Sequence, residues 1–92
     1  MLDTSLLRLH NVVARRGRSR AQLYVDIKRG VMTPPVRIGA TLSAWPAHEV
    51  DALIRAEISG ATEDKLKSLV SQLIVERAGM SPAAHGDAAR AA

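Results

Sequence analysis

The stretch from Ser19 to Gly30 constrains the fold more than any other part of the sequence, because it carries both the start and the end of a short helix. Ser19 is a favourable N-cap, since its hydroxyl can accept a hydrogen bond from a backbone N–H of the first turn. Gln22 lies three residues later and completes a predicted capping box with Ser19. Lys28 and Arg29 suit the negative end of the helix dipole, and Gly30 suits the left-handed conformation that follows a helix.

The two sides of this predicted helix differ in chemistry. Leu23 and Ile27 lie four residues apart, with Tyr24 beside them, so these three side chains share one face. The other positions are mostly basic or polar and include a single acid: Arg20, Gln22, Val25, Asp26, Lys28 and Arg29. A short helix of this kind is suited to dock on a small core and to enter a DNA groove.

A second helix is predicted just before the first. Leu9, Val12 and Val13 have helical spacing, so residues 8–16 are expected to form a short helix with these side chains inward. The tripeptide 16–18, Arg-Gly-Arg, then forms a tight turn. Two short helices joined by a turn that contains glycine are typical of a helix-turn-helix.

The chain changes character after Gly30. Pro34–Pro35 excludes a helix and holds the backbone extended. Val36–Ile38 alternates apolar and basic side chains, which predicts a strand with Arg37 pointing outward. Residues 39–41 can turn the chain, and Leu42–Trp45 can return as a second strand. The sequence therefore predicts a small two-stranded wing.

A hairpin of two strands is not stable by itself, so this wing must lean on the helices. We expect Leu42 to point inward and Trp45, the single tryptophan, to anchor the wing to the core. Residues 1–7 contain three leucines without a clear period and are expected to form a frayed lead-in.

Two further helices are predicted in the second half of the chain. Pro46 suits the first turn of one helix, which ends at Ser59-Gly60. Thr62 suits the N-cap of the other, which ends near Gly79. The apolar stripe of the third helix is Val50, Leu53, Ile54 and Ile58, and that of the fourth is Leu66, Leu69, Val70, Leu73 and Ile74.

The expected fold class is mainly α with a small β-wing, a winged helix-turn-helix with an additional C-terminal helix. Residues 1–60 would form the DNA-binding domain, and residues 61–79 the extra helix. Residues 80–92 hold no large apolar residue except Met80 and are expected to form a disordered tail. The stripe of the extra helix must be buried, either on the core of its own chain or against a second copy.

Charge indicates the class of partner. The net charge is +4 and the isoelectric point is about 10.4, which suggests a polyanion. The first 45 residues hold eight of the thirteen Lys and Arg residues and only two of the nine acids, so the positive charge lies with the predicted helix-turn-helix. The chain has no cysteine and no apolar run long enough to span a membrane, so we expect a cytoplasmic protein without a membrane partner.

Neither catalysis nor a cofactor has support in the sequence. His10, His48 and His85 lie in three separate segments, and no metal-binding, phosphate-binding or nucleophile motif is present. We therefore expect no enzyme, no catalytic residue, no metal and no cofactor. The chain has only two aromatic residues and no phenylalanine, which favours duplex DNA over single strands, whose bases stack on exposed aromatics.

Contact with duplex DNA can be assigned to individual residues. The helix start at Ser19-Arg20, with Arg18 nearby, suits a phosphate. Arg29 is expected to pair with guanine, Gln22 with adenine, and Val25 with a thymine methyl group. The remaining candidates are Tyr24 and Lys28 for phosphates, with Tyr24 alternatively in the core, and Arg37 for a phosphate or the minor groove.

These residues resemble a known family, the AlpA-type phage regulators and phage excisionases. The resemblance covers roughly residues 7–54, and its most specific part is the run Pro-Pro-Val-Arg-Ile-Gly at 34–39. The other matching residues are Arg8-Leu9, Val12-Val13, Gly17, Ser19-Arg20, Leu23-Tyr24, Ile27-Lys28, Gly30, Trp45 and Glu49-Val50.

The resemblance implies a small winged helix-turn-helix related to the MerR DNA-binding domain. It implies a role on a mobile element, either as an excisionase that binds and bends attachment-site DNA for an integrase, or as a promoter regulator. We favour the excisionase, which would assemble as several copies on DNA. A protein-interaction adaptor that uses the fourth helix is the alternative from another class.

The resemblance also implies which positions contact DNA. Groove-reading positions correspond to Ser19, Arg20, Ala21, Gln22 and Val25, and a wing position corresponds to Arg37. This chain departs from the pattern at Arg18, where an apolar residue is usual, and at Ala40 and Thr41 on the wing tip, where a basic residue is common. Thr41 is kept as a candidate contact.

Overall fold

The structure, a computed structural model, describes residues 5–80. It contains four helices and a three-stranded antiparallel sheet, in agreement with the predicted helix-rich fold with a small β element. In chain order the elements are β1 (Leu6–Leu7), α1 (Leu9–Arg16), α2 (Arg20–Arg29), β2 (Val36–Ile38), β3 (Leu42–Pro46), α3 (Ala47–Ile58) and α4 (Glu63–Gly79). Of the predicted tail, residues 80–92, only Met80 lies in the described part, where it follows the end of α4; residues 81–92 lie outside it.

The predicted limits of α2 are confirmed by its capping. The Ser19 hydroxyl accepts a hydrogen bond from the backbone N–H of Gln22 at 3.1 Å. Gly30 adopts a φ of 83°, where a residue with a Cβ would be strained, and its N–H is bonded to Ile27 O at 3.1 Å. The predicted capping box is only half formed, because the Gln22 side chain donates to Asp26 at 2.9 Å and does not return to Ser19.

The central strand of the sheet is β3, with β1 on one side and β2 on the other. The predicted hairpin is confirmed: Val36 lies opposite Ala44, and Arg37 opposite Ser43. The prediction that residues 1–7 form a frayed lead-in is wrong for its last two residues. Leu6 and Leu7 form strand β1 and pair with Pro46 and Trp45. Two residues are too few for a sequence period, and the partner strand lies far along the chain.

Trp45 anchors the hairpin as predicted. Its side chain is buried, and its indole N–H donates to Thr33 O at 2.9 Å, so its polar atom is satisfied in the interior. The core around it takes side chains from β1, all four helices, the segment after α2, and β3: Leu7, Val12, Leu23, Met32, Trp45, Ala47, Val50, Leu53, Val70 and Leu73.

Helix α4 packs on α3 and belongs to this same core. Val70 and Leu73 are buried, and Leu66 and Leu69 pack against the core from its edge. Of the two alternatives for the α4 stripe, packing within the chain therefore holds for these four residues, and only Ile74 of the five is exposed.

Two side chains that were predicted to face the core are exposed instead. Leu42 is 40% exposed, because it pairs with Ile38 at the turn end of the hairpin and lies away from the core. Ile58 is 81% exposed, since it is the last residue of α3, and its stripe has passed the edge of the core by that point. Within residues 5–80, no helix has both the length and the apolar character needed to cross a membrane.

Candidate nucleic-acid interface

The polar side of α2 is turned towards its own chain by a buried carboxylate. Asp26 is fully buried, although the sequence shows it only as the single acid among basic residues. Arg18 Nη1 donates to Asp26 Oδ2 at 3.0 Å, and Gln22 Nε2 donates to Asp26 Oδ1 at 2.9 Å. Arg16 Nη2 lies 3.9 Å from the same carboxylate. Two predicted DNA contacts, Arg18 and Gln22, therefore take part in an internal network.

This network continues to the C-terminal end of α3. Arg18 Nη2 donates to Glu57 Oε2 at 2.7 Å, and Arg16 Nη2 lies 3.2 Å from the same carboxylate. The Arg16 side chain is only 1% exposed. Burial lowers the pKa of the Arg16 guanidinium, and the Glu57 carboxylate opposes that shift. Arg18 stands where the resembled family usually has an apolar residue, and here it joins the turn to α3 through charge.

A third predicted contact, Arg29, is bound to α4. Its guanidinium donates to the Glu63 carboxylate and also lies 4.0 Å from Asp26 Oδ1. Lys67 reaches the same Glu63 at 3.4 Å. The hydrogen bond from Arg29 lowers the pKa of Glu63. Because both Gln22 and Arg29 have partners in the chain, the two predicted purine-reading side chains are not presented freely to a ligand.

The face of α2 that remains open is a different one. Ala21, Tyr24, Val25 and Lys28 are all exposed, and their spacing of i, i+3, i+4 and i+7 places them in one stripe. Tyr24 is 48% exposed and Val25 is 47% exposed, so the alternative core position of Tyr24 is wrong. Tyr24, Val25 and Lys28 line a shallow depression together with Ile27.

The two residues at the start of α2 lie beside α1. Arg20 is exposed and lines a second shallow depression with Leu9, His10 and Val13 of α1. Ser19 is exposed, and its hydroxyl already accepts the capping hydrogen bond. The start of α2 therefore presents a cation close to the outer side of α1.

The predicted contacts on the hairpin are both exposed. Arg37 Nη2 donates to the carbonyl oxygen of Ala40 at 3.0 Å, so its side chain braces the turn that it precedes. Thr41 lies in that turn.

The distribution of unpaired charge separates two groups of basic residues. Arg16, Arg18, Arg29, Arg55, Lys67 and Arg77 each form an ion pair. The basic residues without an acidic partner within residues 5–80 are Arg8, Arg15, Arg20, Lys28, Arg37 and Lys65, and all six are exposed. Five of these six precede α3, so the unneutralised positive charge lies on the helix pair and the hairpin.

Sequence reasoning missed the acids that hold the elements together. Asp26 and Glu57 link α2 to α3, while Glu49 is fully buried and binds Arg77 of α4 through two contacts of 2.7 and 2.6 Å. The spacing of Gln22 and Asp26, four residues apart on a helix, was the one available signal. Arg18 and Glu57 lie 39 residues apart in sequence, and Glu49 and Arg77 lie 28 apart, beyond any local pattern.

Among residues 5–80, no group of three or more His, Asp or Glu side chains is arranged to hold a metal ion. The surface of the helix pair that is open to a ligand is the exposed face of α2, with unpaired cations around it. No family model, no curated protein and no solved structure matches the chain.

Proposed function

We propose that this chain is a sequence-specific duplex-DNA-binding protein in which α1, α2 and the β2–β3 hairpin act as a winged helix-turn-helix. The observation that carries the proposal is the exposed stripe of α2, with an unpaired cation, Arg20, at the start of the helix and another, Lys28, near its end. A helix of this size fits the major groove, and cations beside it attract phosphates.

The capping of α2 supports the same placement. The start of the helix carries a positive dipole end and the exposed Arg20, which together favour an anion there. The network around Asp26 supports it indirectly, because it fixes the rotation of α2 and keeps one defined face outward. A fixed face is what sequence-specific docking requires.

The biological role that we propose is that of an excisionase on a mobile element, which binds and bends attachment-site DNA so that an integrase performs excision. This role comes from the resemblance to AlpA-type regulators and excisionases. Promoter regulation is the alternative role within the same DNA-binding function. The adaptor alternative is weakened, because the α4 stripe on which it depended is largely used by the core of the chain.

A gel-shift titration tests the proposal. The probes are a duplex that spans an integrase attachment site of the mobile element and a duplex from the promoter of the gene, with scrambled duplex as competitor and with salt varied. We expect a ladder of shifted species at the attachment site that resists the competitor. A single shifted species at the promoter would indicate the regulator instead, and equal, steeply salt-dependent binding to every duplex would refute specific recognition.

A matched pair of variants tests whether α2 is the binding helix. Ala21→Glu and Ser71→Glu each add one negative charge at an exposed helical position, the first on α2 and the second on α4. We expect Ala21→Glu to weaken specific binding at least about tenfold, in line with the cost of a like charge placed at a phosphate surface, and Ser71→Glu to leave it nearly unchanged. Equal effects of the two variants would rule out α2 as the helix in the groove.

A further inference from the structure

The side chains of α2 that are suited to hydrogen-bond with purines are the ones that the fold occupies. Gln22 donates its amide N–H to Asp26 at 2.9 Å, and Arg29 binds Glu63 and approaches Asp26. The usual bidentate pairs, glutamine with adenine and arginine with guanine, require these groups to be free. Freeing Gln22 would remove one hydrogen bond from the buried Asp26, and freeing Arg29 would remove the hydrogen bond that it donates to Glu63.

The open stripe of α2 has different chemistry. Ala21, Tyr24 and Val25 present methyl groups and an aromatic ring, and Val25 is 47% exposed at the edge of a shallow depression that Ile27 and Lys28 also line. None of the aliphatic groups can donate or accept a hydrogen bond. The base feature in the major groove that an aliphatic side chain recognises is the C5-methyl group of thymine.

The cations lie at the two ends of this stripe. Arg20 and Lys28 are eight residues apart, which is about 12 Å along a helix at 1.5 Å per residue. The two cations therefore flank the apolar stripe, where they suit phosphates that border the groove. The apolar group around Val25 then faces the base pairs between them.

Resting on the proposed DNA-binding function, we infer that α2 recognises its site mainly through thymine methyl groups, with Val25 as the principal specificity-determining residue. The recognised duplex carries thymine at the position that Val25 contacts. Gln22 and Arg29 hold the helix in register through Asp26 and Glu63 and make no base contact.

Deoxyuridine tests this inference, because it pairs like thymidine and lacks only the methyl group. A random-sequence duplex library is selected for binding, and the enriched duplex is remade with deoxyuridine in place of each thymidine in turn. We expect one or two positions at which the Kd rises about fivefold, the effect of one buried methyl group. In the Val25→Ala variant the same replacement should change the Kd less than about twofold, because the partner of the methyl group is gone.

Val75→Ala is the matched control, because Val75 is an exposed valine on a helix, 71% exposed, but lies on α4. This variant should keep the full sensitivity to deoxyuridine. The inference fails if the enriched duplex binds specifically yet no deoxyuridine replacement raises the Kd. It also fails if 7-deazaguanine, which lacks the N7 acceptor, weakens binding where deoxyuridine does not, since Arg20 would then be reading guanine. If no duplex is enriched at all, the proposed function itself fails.

Discussion

Asp26 is the residue whose environment most directly controls how α2 is presented. Its side chain is fully buried between Arg16, Arg18 and Gln22, and the Arg16 side chain beside it is only 1% exposed. A buried guanidinium depends on a compensating carboxylate, because an uncompensated charge in the interior costs several kcal/mol. The basic character of this region is therefore partly internal and does not belong to the surface that meets a ligand.

This environment predicts the effect of Asp26→Asn. The amide keeps the shape of the side chain but removes the charge, so the variant should lose about 3 kcal/mol in the free energy of unfolding, as when one partner of a buried pair is removed. Asp51→Asn is the control, since the Asp51–Arg55 pair, 3.2 Å apart, has both side chains more than half exposed. Asp51→Asn should lower the free energy of unfolding by only about 0.3–0.5 kcal/mol. Urea unfolding of both variants measures the two losses, and similar losses would mean that Asp26 has no special structural role.

At the scale of single residues, the sequence predicted the caps of α2 and the position of Trp45, because these depend on neighbours within a few positions. It assigned Gln22 and Arg29 to bases, since their types and helical position suit that role. The structure gives both residues partners within the chain. Nothing local marks Asp26 as buried, and its partner Arg18 is in turn bound by Glu57, 39 positions further along the chain.

Among the elements, α4 is the one whose role is most changed by the structure. It contributes Val70 and Leu73 to the core and is held by ion pairs near both ends. Glu63 binds Arg29 at its start, and Arg77 binds Glu49 and the carbonyl oxygen of Pro34 near its end. The helix thus fixes α2, the segment after it and the start of α3 relative to one another, and is part of the same folded unit as the helix pair.

The Arg77–Glu49 pair predicts that removing one partner lowers stability strongly and that removing both restores most of it. Arg77→Met leaves the fully buried Glu49 without its partner and should cost about 3–5 kcal/mol in the free energy of unfolding. The double variant Glu49→Leu/Arg77→Met should recover most of that loss, because no unpaired charge is then left buried at this position. Arg55→Met, which removes an exposed pair, should cost less than about 0.5 kcal/mol. Chemical denaturation compares the three, and a double variant as unstable as Arg77→Met would contradict the interpretation.

The elements themselves were predictable wherever a local period or a cap exists, which covers all four helices and the β2–β3 hairpin. Strand β1 was not predictable, because two leucines carry no period and their pairing with Trp45 and Pro46 depends on the folded hairpin. Helix α4 was predicted as a helix, but its partner could not be deduced, since an apolar stripe has the same pattern against its own core and against a second copy.

For the molecule as a whole, the ion pairs sort the charge into an internal part and an exposed part. Every acid between Val36 and Gly60 is paired with an arginine, and the arginines in those pairs are Arg16, Arg18, Arg55 and Arg77. The unpaired cations remain on α1, α2 and the hairpin, with Lys65 as the exception on α4. The net charge of +4 therefore understates the positive field of the proposed DNA-binding side.

This sorting predicts how salt affects DNA binding in two matched variants. Arg20 and Lys65 are both exposed helical cations without an acidic partner, but the first lies at the start of α2 and the second in α4. Each phosphate contact contributes about 0.9 to the slope of log K against log salt, so Arg20→Ala should lower the magnitude of that slope by about one. Lys65→Ala should leave it unchanged, because a side chain outside the interface releases no counterion on binding. Titrations of one duplex at several salt concentrations give both slopes. Equal decreases would show that the cations act only as a diffuse field and that α2 has no fixed position on the duplex.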